Sequence, residues 1–374
     1  MAFIQYLKAR PERQRHLWLI SLTFPMSPIL GGVTAMLTGY MFWLWLPVFI
    51  FYVFIPLVDM WIGEDRHDIL STAEHESSLS SFYRFMVHAM LPSIYLTWLF
   101  GAWYIATQSA PWWAYIALGI SHGWGLAFAI NSAHEVGHKT DKVSKWMALL
   151  MLAPSFYGHF RVEHNQGHHV DVATPRDSAT ARFGEGYWAF FVRDYRGTWR
   201  RAWRLETKRA HIKGYSPFSL RHEGVASVIM QIILWGVVII VLGLHVLPYL
   251  LICALVSSLA LSSQNYVTHY AMLRDKRPNG KYAPCEPKHS WNCSSLVTNL
   301  TSYNLALHSD HHVHPTRHYQ HLRPFESAPQ LPYGYMTMFT IAYFPPLFRK
   351  VMDPLVLERV NGDMDKVLTK DKSA

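Results

Sequence analysis

Six stretches of the chain are apolar for long enough to cross a bilayer, which takes roughly 20 helical residues: about 18–37, 41–62, 83–105, 111–132, 225–247 and 249–268. Their central parts carry no Asp, Glu, Lys or Arg except Asp59, near the end of the second. The connections at 38–40, 106–110 and 248 are short and uncharged, so the six pair into three helical hairpins. The polar remainder then falls on one side: the N-terminus, 63–82, 133–224 and 269–374. Lys8, Arg10, Arg13 and Arg15 precede the first apolar run, and positive-inside bias places that side in the cytoplasm. The acids of the 63–82 loop (Glu64, Asp65, Asp68, Glu74, Glu76) weigh little in that bias. The first run lacks a small-residue cleavage site and a second follows at once, so it reads as a retained helix, not a signal peptide. Two shorter apolar stretches, 146–158 and 333–348, contain proline and should be buried or interfacial. With no internal repeat or low-complexity linker, 1–374 reads as one domain. The prediction is an all-α, polytopic membrane protein with six transmembrane helices and a cytoplasmic, histidine-rich catalytic region.

Composition agrees with a membrane protein. Hydrophobic residues make up 51% and charged residues 16%, against roughly 25% charged in soluble chains. Fifteen Trp, 20 Tyr and 20 Phe are enough for aromatic belts at both interfaces. The three cysteines (Cys253, Cys285, Cys293) form no CxxC pair, which excludes a built-in four-cysteine iron site and offers no disulfide framework. No GxGxxG string is present, so a nicotinamide cofactor would have to be used by a partner. The formal net charge of +9 is concentrated between 193 and 213: Arg193, Arg196, Arg200, Arg201, Arg204, Lys208, Arg209 and Lys213. That run suits anionic lipid headgroups or an acidic electron carrier. Arg200, Arg201, Arg204, Lys208 and Arg209 are the docking candidates. No nucleic-acid motif accompanies the charge.

Nine of the 22 histidines carry the chemistry. They fall at His134 and His138, at His164, His168 and His169, at His269, and at His308, His311 and His312. The pairs 134/138, 164/168 and 308/312 are at i and i+4, on one helix face each. His311 keeps to the face of His308, and His169, about 100° round from His168, can reach a second metal. The fourth and sixth spans run into His134 and His269, and both exit on the polar side, so distant histidines arrive at one membrane depth. His134-Glu135-x-x-His138 also matches the zinc-protease motif. Ligand number argues against that: a zinc protease needs three protein ligands, whereas nine suffice for two metals with four or five nitrogens each. Octahedral metals with an open position suit redox-active iron and O2 better than tetrahedral zinc. Glu135, Glu163, Asp171, Asp177 and Asp310 lie inside or beside the clusters and can orient metal-bound imidazoles. His122 reads as a packing residue, and His159, His314, His318 and His321 as flanking groups. A metal transporter stays open, with ligands along a crossing path.

The extended strings resemble those of the integral-membrane alkane 1-monooxygenases: HEVGHK at 134–139, EHNQGHHVDVATPRDSAT at 163–180, NYVTHYAMLR at 265–274 and HSDHHVHPTRHYQHLR at 308–323. PLVDMWIGED at 56–65, AWRLETKR at 202–209, HSWN at 289–292 and VMDP at 351–354 extend the likeness over nearly the whole chain. The resemblance implies a non-haem di-iron centre held by the nine histidines, six transmembrane helices and a bacterial inner-membrane location. It implies hydroxylation of the terminal methyl of medium-chain n-alkanes to 1-alkanols, with O2 as co-substrate. Electrons would come from rubredoxin, fed by a rubredoxin reductase. Related membrane di-iron enzymes act on alkyl-aromatic methyl groups or fatty acyl chains, and these remain the alternative substrates. The usual NYxEHYG pattern departs here at Thr268, in place of Glu, and Ala271, in place of Gly. A small hydrophobic substrate dissolved in the bilayer would enter among the spans, and Phe51, Ile55, Leu126 and Phe128 are candidate lining residues.

Overall fold

The computed structural model describes residues 15–64 and 76–372. The bases Lys8, Arg10 and Arg13 and the acids Asp65, Asp68 and Glu74 lie outside the described residues. The main helices, in chain order, are α1 (Leu17–Thr38), α2 (Met41–Ile62), α3 (Glu76–Thr107), α4 (Trp112–Gly137), α5 (Lys142–Leu152) and α6 (Phe160–Glu163). They continue as α7 (Tyr187–Ile212), α8 (Glu223–Leu242), α9 (Leu244–Thr268), α10 (Leu296–Ser302), α11 (His308–Val313), α12 (Tyr335–Ala342) and α13 (Pro345–Arg359). Among the described residues no β-strand forms. Six helices (α1 to α4, α8 and α9) are long and apolar enough to cross a membrane. Their outward side chains, such as Leu37, Phe42, Ile240 and Val241, are large, apolar and exposed, as lipid-facing residues are. The chain is a multi-pass membrane protein.

The span limits differ from expectation at informative places. The turn between α8 and α9 falls at Gly243, whose φ of +95° favours glycine. Pro248 instead occupies the first turn of the helical core of α9, where its missing N–H costs nothing. Helix α4 continues past the apolar run to Gly137, carrying His134 within helix. The stretch 146–158 becomes α5 and the turns after it, and 333–348 becomes α12 and the start of α13, both short of a span.

Helix α4 is the hub of the bundle: 72% of its apolar window is buried, against 22% for α2 and α8. Gly119 and Gly123 lie against Ile252 and Val256 of α9, and a Cβ at either glycine would overlap those side chains. This small-xxx-small spacing lets two backbones approach closely in lipid. The close pairing holds the exits of α4 and α9, and therefore His134 and His269, side by side.

A second device fixes the polar layer. Helix α10 has no side-chain cap of its own, and Asp59 of α2 supplies one. Its carboxylate accepts from Thr298 N at 3.0 Å and Thr298 Oγ1 at 2.8 Å. Gly334 packs so closely on Asp59 that a Cβ there would overlap the carboxylate. An Asp59→Ala variant should lose about 1–3 kcal/mol, because the buried donors of α10 are left unpaired. A lowered melting temperature of the purified protein checks this.

Helix α7 is amphipathic in three ways. Phe190, Asp194, Thr198, Arg201 and Glu206 face inward and are buried. Trp188, Val192 and Trp203 form an exposed apolar stripe, and Arg196, Arg200, Arg204 and Lys208 an exposed basic one. Inward anchoring comes from Ser262 Oγ, which donates to Asp194 at 2.8 Å, and from Tyr187 Oη, which donates to the Leu259 carbonyl at 2.8 Å.

Candidate metal centre

The nine histidines converge on two foci. His134, His138, His164, His169 and His311 bring one nitrogen each to the first, and His168, His269, His308 and His312 to the second, with all atoms of a group within 4.8 Å. After α6 the helix widens into a π turn at His164–His168 and then adds one more turn, His169–Asp171. Pairing at i and i+5 in such a turn sets His164 over His169 and sends His168 to the other focus. The i, i+4 expectation for 164/168 therefore fails. His311 likewise leaves the face of His308 and His312 for the first focus. Two segments, 160–171 and α11, thus contribute to both foci, while α4 feeds only the first and His269 only the second.

The donor set fits metal ions. Nitrogens bound in neighbouring positions at roughly 2.0–2.1 Å from one metal stand about 3 Å apart. Here the Nε2···Nε2 separations are 2.8 Å (His134–His311), 2.9 Å (His164–His169), 3.0 Å (His169–His311 and His269–His308) and 3.1 Å (His134–His138 and His308–His312). His168 Nδ1 pairs with the Asp177 carboxylate at 3.0 Å, which leaves its Nε2 buried, without a protein partner and free for a metal. Lone pairs crowded in this way call for a shared cation. Nine ligands also leave the zinc-protease arrangement unmade: Glu135 turns to Lys139 at 3.4 Å and His318 at 3.6 Å.

Of the five candidate carboxylates, Asp177 alone bonds a clustered imidazole. Burial raises its carboxyl, but His168, Thr180 and Arg201 together hold it below the usual range. Glu163 is pushed up to about 8 by burial and then by the charge of Asp177. Asp171 and Glu163 are tied to Arg201. Asp310 binds His314 Nδ1 at 2.8 Å and also Arg317. An Asp177→Asn variant should bind metal about 10–100-fold more weakly, the usual effect of losing the group that orients a metal-bound histidine. Competition with a chromophoric chelator measures it.

One expectation needs correction, and the others are placed by the structure. Arg201 is buried and bonds the carbonyls of Gly167 at 2.9 Å and Arg176 at 2.8 Å, so it cannot belong to a docking surface. Arg209 is half-buried and bonds Glu206 at 2.9 Å. Among the channel candidates only Phe128 borders the cavity beside the clusters, together with Trp124, Asn131, Leu261, Gln264 and Phe339. Phe51 stands behind it, ring centroids 5.8 Å from Phe128. Ile55 and Leu126 are buried in helix packing, Leu126 about 200° round α4 from Phe128. Asn131 and Gln264 were not anticipated, although Asn131, at i−3 and i−7 from His134 and His138, shares their face. At the departures from the family pattern, Thr268 Oγ1 donates to the Gln264 carbonyl at 2.7 Å. Ala271 adopts φ +62°, a left-handed conformation costing about 1–2 kcal/mol outside glycine.

Residues 108–342 match the fatty acid desaturase family. Alkane 1-monooxygenase 1 of Alcanivorax borkumensis is 39% identical over 95% of this chain and 88% of its own length. Alkane 1-monooxygenase of Pseudomonas putida is 38% identical over 96% and 90% respectively. The xylene/toluene monooxygenase hydroxylase component of Pseudomonas putida is 27% identical over 58% and 57%. Matches of this length, running through both histidine foci, show that the chain belongs to the alkane 1-monooxygenase branch of the fatty acid desaturase family.

Proposed function

We propose that the protein hydroxylates the terminal methyl of medium-chain n-alkanes to 1-alkanols, using O2 and electrons from reduced rubredoxin. The observation that carries this is the pair of imidazole foci fed by the same two helices, α4 and α9, that wall a largely apolar cavity, in a chain of this family. His134, His138, His164, His169 and His311 would hold one iron, and His168, His269, His308 and His312 the other. When bound, the irons supply oxygen activation and the oxidising power that an unactivated C–H bond demands and no side chain has. The protein's own part is placement and exclusion. Phe128, Trp124, Leu261 and Phe339 exclude water and admit a linear chain end-on, so shape favours the terminal carbon. Asp177 fixes the ring of His168, and Arg201 fixes the turn that carries it.

The proposed setting is the bacterial inner membrane, with both foci on the cytoplasmic side, as positive-inside bias argues, and the whole of 1–374 acting as one domain. The basic stripe of α7 (Arg200, Arg204, Lys208) suits anionic headgroups or an acidic carrier. Reversing these three charges should slow rubredoxin-coupled turnover several-fold while sparing turnover with a small reductant, if they dock the carrier. Equal rates with both reductants assign them to lipid.

The test is product analysis on a C6–C16 alkane series with purified protein, rubredoxin and its reductase, alongside iron quantification. About two irons per chain and 1-alkanols are expected. Turnover of xylene but of no alkane would instead favour the alkyl-aromatic reading that the xylene/toluene relative raises.

A further inference from the structure

We propose that Asn131 and Gln264 form a hydroxyl-binding pair at the metal end of the cavity, recognising the 1-alkanol product over the alkane; this rests on the function proposed above. One face of α4 reads, toward the polar side, Trp124, Phe128, Asn131, His134, His138, an apolar wall that becomes an amide and then imidazole. Asn131 lies about 4.5 Å of helical rise before His134. On α9, Gln264 follows Ala260 and Leu261 on the opposite wall of the same cavity. Gln264 is 7% exposed, and neither amide has a side-chain hydrogen-bond partner among the described residues. Of the hydroxyls around the cavity, Thr298 is engaged with Asp59, Thr301 with the Val297 carbonyl and Tyr335 with the Leu305 carbonyl, while Ser302 Oγ is buried without a partner and adds a third free polar group beside the amides.

Each amide offers two donor hydrogens and acceptor lone pairs. An alkane can satisfy neither, so these groups weaken substrate binding. A hydroxyl donates and accepts at once and can satisfy both amides. The pair therefore favours the oxygenated chain end, with Asn131 about one helical turn before His134 along α4. The hydroxyl can come from product or from water, and the two sources make different predictions.

The test is 19F NMR titration of detergent-solubilised, metal-loaded protein. The probes are a trifluoromethyl-terminated 1-octanol and the equally long trifluoromethyl-terminated octane, each corrected for partition into detergent. Wild type should prefer the alcohol, and Asn131→Leu or Gln264→Met should lower the alcohol-to-alkane affinity ratio about tenfold, the order of one lost hydrogen bond. An unchanged ratio overturns the proposal, whether both affinities stay put, as for amides that hold only water, or both fall together, as for a change of shape. Should Asn131→Leu fail to fold, the isosteric Gln264→Met carries the test alone. Because the readout is binding, it stands apart from turnover: a wild type that hydroxylates no alkane would sink the function while leaving this ratio measurable.

Discussion

Alanine at position 269 should remove one of the two metal ions and reduce octane hydroxylation below detection. His269 is one of four nitrogens at the second focus and arrives alone, at the end of α9, where its φ of −118° has already left the helix. Its backbone is held independently of the ring, by a hydrogen bond to the Asn265 carbonyl at 3.1 Å. The neighbouring Thr268 carbonyl accepts from Trp291 N at 2.8 Å. Truncating the ring therefore takes out a ligand without unravelling its support. The first focus draws nothing from this residue and should keep its ion. Iron analysis should fall from about two per chain to about one, with a preserved melting transition, whereas His211→Ala, on the exposed face of α7, should change neither. Full iron content with full activity in His269→Ala would overturn the two-focus assignment.

The second large effect is on stability. Arg201→Ala should cost about 3–5 kcal/mol, the usual result of removing one partner from a buried charge cluster. Against a typical total of roughly 5–15 kcal/mol, this is enough to leave much of the protein unfolded. The guanidinium bonds Asp171, faces Glu163 at 3.7 Å and Asp177 at 3.8 Å, and bonds two backbone carbonyls. Gly167 leaves room for it: a Cβ there would stand 2.7 Å from Arg201 Nε. Without the cation, the buried Asp177 carboxylate and half-buried Asp171 lose their counter-charge around the π turn, and buried Glu163 loses a polar neighbour. Arg201→Lys keeps the charge but not the fork of donors, and should fall between. Arg200→Ala, one residue away and exposed, should stay within about 0.5 kcal/mol. Thermal melting of the purified variants ranks the four proteins.

Arg201 also shows where the sequence was mute. Composition reads an Arg in a run of eight bases as surface, and nothing local reveals that one helix face turns inward onto three acids. The spans were legible because apolar length is a one-dimensional property. The turn at Gly243 was not, because Pro248 is the stronger local punctuation and its tolerance in a first helical turn depends on where the helix begins. The histidines themselves were legible from spacing, and α4 kept its i, i+4 pair. Their division between two foci was hidden, because a π turn changes the angular bookkeeping without an unambiguous sequence signal. Of five nearby carboxylates, Asp177 is the one on a clustered imidazole, and it reaches His168 from nine residues away through a loop. Phe128 was within reach of sequence reasoning only through Asn131, three residues on and about 60° round the helix, because it lies about 120° from His134 itself. Leu126 lies about 80° from His134, so angular closeness to the histidine alone would have chosen the wrong residue.

The continuous face of α4, from Trp124 to His138, makes the helix a ruler, which limits how relatives of this protein can diverge. One residue inserted between Phe128 and His134 would turn the cavity wall about 100° away from the imidazoles and lengthen it by about 1.5 Å. Adjusting this cavity to a longer or shorter chain must therefore proceed by exchanging side chains along the face, and changes of length should collect in the loops outside it.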